Sequence, residues 1–245
     1  MYGNILNKFS WSYSKLNSYC TCPKQFFLTY IVKSESKPNA YAQFGNLVHS
    51  LLASYFNVEL RFDELYDMYV KEYDRWVTAD FNNNPDSDLN ESYYDSGLKY
   101  FSEFEGLFDN CEVLDVEKRF TTKIGDHKFV GIIDLILKDK NGIAIVDHKS
   151  KGKFASKADA DEYFKQLYIY GQYVYEKYGE YPYKLTFNLF RSQELVEKLW
   201  DNITFSNVKM WALDTIKQIY EDESFDGRDN YFFCNNLCTV SETCK

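Results

Sequence analysis

The sequence is short of several things, and each shortage excludes something. It has no apolar run of about 18 residues, so no helix is expected to cross a membrane. Met1 to Trp11 lacks the charged-then-apolar pattern of a secretion signal, which points to a cytoplasmic protein in a reducing compartment. There is no internal repeat and no long low-complexity linker, so an array or beads-on-a-string architecture is not expected. Basic residues are outnumbered, 28 against 37 acidic, giving a net charge of -9. That excess of acid opposes a broadly nucleic-acid-binding surface and leaves room only for a local basic strip. Histidine is scarce, with 3 in the chain, so any imidazole chemistry has few candidates.

What is present is enough apolar residue, 45%, to bury a sizeable core in 245 residues. Aromatics are abundant at 19%, with 22 Tyr and 20 Phe, serving a core or supplying base-stacking surface. Lysines fall where a basic strip would be useful: Lys149, Lys151, Lys153 and Lys157 in one stretch, Lys15, Lys24, Lys33 and Lys37 in another. Dispersed over a solvated surface, the same lysines would need no partner.

The order of elements is legible. Ser12 and Ser14 can cap a helix, and Pro23 suits the first turn of another through Tyr30. Residues 34–39 read as a loop. The spacing of Phe44, Leu47, Val48, Leu51, Leu52 and Tyr55 predicts a helix over 40–58. Two more helices are expected over 61–81 and 91–108, separated by the polar breaker at 82–88. From Cys111 the pattern becomes β-rich, with a turn near Gly125 and strands over 127–137 and 143–147. A helix over 159–178, a strand over 183–191 and a helix over 207–221 follow. This predicts one α/β domain: a mixed central β-sheet flanked by helices, with a helical N-terminal part (1–110), a core (111–222) and a cysteine-containing tail (223–245).

The chain is organised around Gly131 to Lys149. Two apolar runs joined by a turn containing Asn141-Gly142 predict a β-hairpin. The first run carries Asp134; the second delivers Asp147-His148-Lys149. Carboxylates are costly in apolar strands unless paired or coordinated. Positions i and i+2 of a strand share a face, so Asp147 and Lys149 share one and His148 points away. A suitable register adds Asp134. Two acids and an amine on one face suit a divalent cation held beside a cationic side chain.

An acid, a turn, then acid-x-Lys resembles the PD-(D/E)XK nuclease superfamily, though Ile133 stands where its proline would be. Gly131-x-x-Asp134 with Asp147-x-Lys149 is most similar to the RecB-type exonuclease branch. Gly45-x-x-x-His49 and, on the helix after the D-x-K strand, Gln166-x-x-x-Tyr170 resemble further elements of that branch and occur in its order. By itself His49, near the apolar side of its helix, reads as a core histidine. Gln166 and Tyr170, at i and i+4, share a helix face. The resemblance implies Mg2+ or Mn2+ held by His49, Asp134, Asp147 and the carbonyl of His148. It implies Lys149 as the catalytic amine, with Gln166 and Tyr170 orienting the DNA or that lysine. It also implies phosphodiester hydrolysis, with exonuclease action on single-stranded DNA or free ends in replication, recombination or repair, beside protein partners. The other reading is a module that grips DNA ends in such an assembly with little turnover. Glu117, on the preceding strand, reads as a surface carboxylate or as a second-metal or supporting ligand.

There are six cysteines, and no disulfide framework is expected without secretion. Cys234, Cys238 and Cys244 lie in the aperiodic tail; Cys22-Pro23 opens an early helix. One early Cys-Pro and three late cysteines resemble the iron–sulfur staple of AddB-type and CRISPR-adaptation members of this branch. That implies a 4Fe-4S cluster on Cys22, Cys234, Cys238 and Cys244, with structural Zn2+ as the alternative. The gap between the first two tail cysteines is three residues where those relatives usually have two, and Cys20 competes with Cys22.

Overall fold

The structure, a computed structural model, describes every residue except 1, 105–107, 109, 231–232, 235–236 and 245. Backbone contacts group the chain into two units: 1–38, 120–131 and 201–245 form one; 39–119 and 132–200 form the other. The division falls within the two long strands.

In the first unit, α1 (Gly3–Leu6) leads to α2 (Tyr13–Thr21), whose N-cap Ser12 accepts the amide of Lys15. Cys22 then breaks the helix in extended conformation, and Pro23 starts α3 (Pro23–Phe26) at a position where its missing N–H costs nothing. A π-helical stretch, Phe27–Val32, ends at Lys33. Phe26, Phe27, Tyr2 and Tyr19 gather around the buried Phe225.

In the second unit, α4 (Ala40–Phe56) is capped by Asn39. It buries Phe44, Leu47, Val48, Leu51 and Leu52, the stripe expected from the sequence, with Tyr55 half-buried. Its neighbours are shorter than the sequence suggests. The 61–81 expectation resolves into a 3-10 turn, Phe62–Glu64, and α5 (Leu65–Trp76). The 91–108 expectation becomes α6 (Leu89–Ser102), started early by Asp88 as cap; part of its expected end lies outside the described residues. Strands β1 (Glu112–Ile124), β2 (His127–Asp139) and β3 (Gly142–Lys149) precede α7 (Lys157–Tyr178), β4 (Lys184–Leu189) and β5 (Glu194–Leu199).

The sheet order is β1-β2-β3-β4-β5. β2 and β3 are antiparallel, with Asp139 opposite Gly142 at the turn, where the Asp139 carboxylate accepts the amide of Asn141. β3 and β4 are parallel, so α7 is the crossover that such a pair requires. Both are buried nearly throughout, as strands covered on both faces are. β5 was not expected. Its sequence, Glu194-Leu-Val-Glu-Lys-Leu199, is half charged and lacks a regular apolar alternation, as an edge strand half in solvent can. The last long helix, α8 (Asn202–Glu221), belongs to the first unit and starts five residues before its expected position because Asp201 caps it. The observed class is the expected one, a mixed sheet with flanking helices and a helical N-terminal part. No helix among the described residues is long and apolar enough to cross a membrane.

Candidate active site and cysteine cavity

The antiparallel ladder runs from the turn to Leu135 opposite Val146. One step further stand Asp134 and Asp147. There the Asp134 carboxylate stands in for a backbone acceptor: its Oδ2 takes the N–H of His148 at 2.7 Å. Asp147 is 2% exposed and Asp134 8%, a burial that two carboxylates tolerate only with partners.

Asp147 has partners on α7. Gln166 Nε2 donates to Asp147 Oδ1 at 2.9 Å, and Gln166 Oε1 accepts from Lys149 Nζ at 3.1 Å. Gln166 Nε2 also lies 2.5 Å from the Tyr170 hydroxyl, one turn along the helix. Lys149 Nζ lies 2.7 Å from Asp147 Oδ2, so the ammonium is the partner of that buried oxygen.

On the other side of Asp134 is His49, whose Nδ1 is 3.4 Å from Asp134 Oδ2 and 3.8 Å from Glu117 Oε1. Each of the three, His49, Glu117 and Asp134, offers an atom within 4.8 Å of the others, a grouping able to hold a metal ion. The same group includes Glu117, which the sequence left between a surface carboxylate and a ligand. The signal absent from the sequence is its backbone: φ is +45° inside a strand, a conformation that turns a side chain out of the regular alternation.

The charges are strongly coupled. Burial works against His49 protonation, but the Asp134 and Glu117 carboxylates outweigh it and raise the imidazole to about 10. Burial would lift Asp134, yet His49 pulls it down to about 2. Asp147 goes the other way: burial dominates and raises it to about 6. Lys149 is held above its ordinary value, the two carboxylates prevailing over burial. His148 points away as its strand position requires. Buried, it is pressed down to about 3 and stays neutral. Its Nδ1 meets the Asn188 amide at 3.0 Å, and its ring stacks on Phe56.

Part of the expected basic strip is committed to ion pairs. Lys151 pairs with Asp159 and Lys37 with Glu242, while Lys153 and Lys157 remain exposed.

In the first unit, Cys22, Cys234, Cys238 and Cys244 line one cavity of about 620 Å³, together with Lys24, Lys37 and Arg228. Cys20 does not line it; its sulfur faces the Thr215 hydroxyl at 4.0 Å. Burial, and then the neighbouring thiols, push the Cys238 thiol up. Among the described residues no three cysteine sulfurs lie within 4.8 Å of one another. Cys111 stands apart at the start of the β-rich stretch in the second unit.

No curated protein sequence matches the chain. Among solved structures, a candidate exonuclease from Eubacterium rectale aligns over 100% of this chain and 91% of its own, with 15% identity and a TM-score of 0.57. The structure of SSO0001 covers 100% of this chain and 96% of its own at 18% identity, with a TM-score of 0.35, too low to carry an argument. The first likeness supports the fold. The family model of the PD-(D/E)XK nuclease superfamily matches residues 10–245, a span holding both acids, the lysine and their helical partners. With that match over nearly the whole chain, the protein belongs to the PD-(D/E)XK nuclease superfamily and is a phosphodiester-hydrolysing nuclease.

Proposed function

We propose that the protein is a RecB-like, metal-dependent exonuclease acting on single-stranded DNA or DNA ends in replication, recombination or repair. The observation that carries this reading is the meeting of two groups of side chains around β2 and the end of β3, with α4, β1 and α7 contributing the rest. His49, Glu117 and Asp134 form a metal-sized cluster, and Asp147, Lys149 and Gln166 form a hydrogen-bonded network beside it. His49, Glu117, Asp134 and Asp147, with the carbonyl of His148, would hold Mg2+ or Mn2+; oxygen donors with one imidazole suit those ions. The bound ion would supply Lewis-acid polarisation of the phosphate and lower the pKa of the attacking water.

The remaining work falls to the chain itself. Lys149, held cationic by its two carboxylate neighbours, places positive charge where phosphate charge develops. Gln166 fixes both ends of the Asp147–Lys149 pair, so the amine arrives oriented. Tyr170 locks the Gln166 rotamer and orients the strand.

The cysteine cavity supports a structural 4Fe-4S staple on Cys22, Cys234, Cys238 and Cys244. Four thiolates on one zinc ion lie ~3.8 Å apart, the edge of a tetrahedron with Zn–S of about 2.3 Å. Thiols facing a common cavity at wider spacing suit ligation to separate iron atoms better than one zinc ion. Such a centre, and six cysteines none of which is in a disulfide, fit a reducing, cytoplasmic compartment.

The test is cleavage of end-labelled single-stranded DNA with Mn2+ and with EDTA, for wild type and Lys149→Ala. Mn2+-dependent shortening from the ends, lost in Lys149→Ala with binding retained, supports the proposal. DNA binding without Mn2+-dependent cleavage in wild type would replace it with an end-gripping module.

A further inference from the structure

We propose that the loop at 150–156 and the first turns of α7 form a nucleobase-stacking subsite for single-stranded DNA, with Phe154 as its platform. The inference rests on the nuclease reading and adds how the substrate is seated. Phe154 follows Lys149 by five residues, on the loop leaving β3. Its ring is half-buried. It packs on Phe187 at 5.5 Å and on Tyr163 at 5.2 Å, both inclined by about 60°. Phe187 is fully buried, and Lys149 Nζ lies 5.7 Å from the centre of its ring. The aromatic group therefore reaches from the reactive lysine outward to Phe154.

The loop is fixed before any ligand arrives. Lys151 Nζ sits 4.4 Å from the Tyr163 ring centre and 5.1 Å from that of Phe154, and pairs with Asp159 at 3.0 Å. The same Asp159 oxygen accepts the amide of Ala155 at 2.8 Å. Lys151 is thus occupied in propping the two rings. A side chain added at Gly152 would meet nothing within 4 Å, so space lies open beside the loop, and the next residue, Lys153, is exposed. A ring needed only for the core would be covered, and a ring on a solvated loop would not be clamped. A clamped, partly exposed ring beside lysines is the arrangement that stacks unpaired bases. Bases in a duplex already stack on each other, so the occupant is single-stranded.

The experiment uses the full chain and 5′-fluorescein-labelled oligothymidylates, each with one abasic nucleotide at a successive position. Binding is read by anisotropy with Ca2+ in place of Mn2+, and cleavage is read separately with Mn2+. Wild type is expected to lose roughly tenfold in affinity for the abasic nucleotide at one position. Phe154→Ala should lose a similar factor on intact DNA and become indifferent to the abasic position, and Phe154→Trp should restore both. If Phe154→Ala does not fold, Phe154→Leu, which keeps apolar volume without a flat face, gives the same readout. A variant that binds intact DNA like wild type, or keeps the wild-type positional profile, overturns the subsite. Cleavage with a flat abasic profile overturns the subsite alone; a stacking profile without cleavage overturns the exonuclease reading alone.

Discussion

The backbone N–H of His148 donates to Oδ2 of Asp134 at 2.7 Å, so a side chain continues a ladder that the backbone has left. This bond fixes one carboxylate oxygen of Asp134 and turns the residue toward His49. In Asp134→Asn the amide oxygen can still accept from His148, so the fold is expected to persist while the negative charge is lost. Losing one charge from a dication site costs several kcal/mol of barrier, or at least ~100-fold in rate. Asp147→Asn should behave likewise. Cleavage kinetics beside thermal melts check this; substantial residual cleavage in both variants would remove the two-acid mechanism.

Glu117 separates strain from coordination. Its φ of +45° costs a non-glycine residue about 1–2 kcal/mol, which glycine would not pay. Glu117→Gly is therefore expected to melt no lower than wild type without metal, yet to bind Mn2+ about tenfold more weakly. A variant that melts normally and binds Mn2+ like wild type would return Glu117 to the surface carboxylates.

Metal binding should release protons. His49 is protonated up to about 10 in the metal-free protein, and a metal ligand must be neutral imidazole. One proton therefore leaves for each ion bound across neutral pH, and affinity should fall about tenfold for each unit of pH lost. Below about 6, Asp147 also takes up a proton, and the fall should steepen. Calorimetry in buffers of different ionisation enthalpy counts these protons; a pH-independent Mn2+ affinity would take His49 out of the ligand set. His49→Ala should weaken Mn2+ binding and recover part of its activity at raised Mn2+. A variant that only melts early, beyond rescue by metal, would leave His49 as a core histidine.

Gly97 is a test of packing. Within α6 an alanine would be favoured over glycine by about 1 kcal/mol from helix propensity alone. A Cβ there would, however, lie 2.3 Å from the phenol end of Tyr69, which is fully buried and bonded to the carbonyl of Tyr94. Overpacking of about 1–3 kcal/mol exceeds the gain. Gly97→Ala should lower Tm with cleavage per folded molecule unchanged; a higher Tm would show that Tyr69 yields freely.

The cysteine cavity predicts a coloured protein. Preparations made without oxygen should be brown, with broad absorbance near ~400 nm from thiolate-bound iron–sulfur. Cys238→Ser should bleach it and expose the tail to proteases, because closing a loop across nearly the whole chain restricts the unfolded state. Cys20→Ser and Cys111→Ser should keep the colour, since neither residue lines the cavity. Colourless protein holding one zinc would replace the cluster; metal-free protein with a protease-resistant tail would end the staple.

The sequence by itself determined the order of the main elements other than β5, the stripe of α4 and the hairpin with its two acids and lysine. Each is a short-range pattern: a helix period, a strand alternation, a turn at Asn141-Gly142. The tertiary structure decided what such patterns leave open. β5 exists because β4 offers it an edge, which its own residues do not announce. Glu117 approaches His49 because one strand residue takes a positive φ, and no residue type signals that. The choice of Cys22 over Cys20 at the cavity was likewise spatial: adjacent turns of one chain point two nearby thiols at different surroundings. Chemistry that depends on periodicity is written locally; chemistry that depends on which distant atoms share a few ångströms is set by packing.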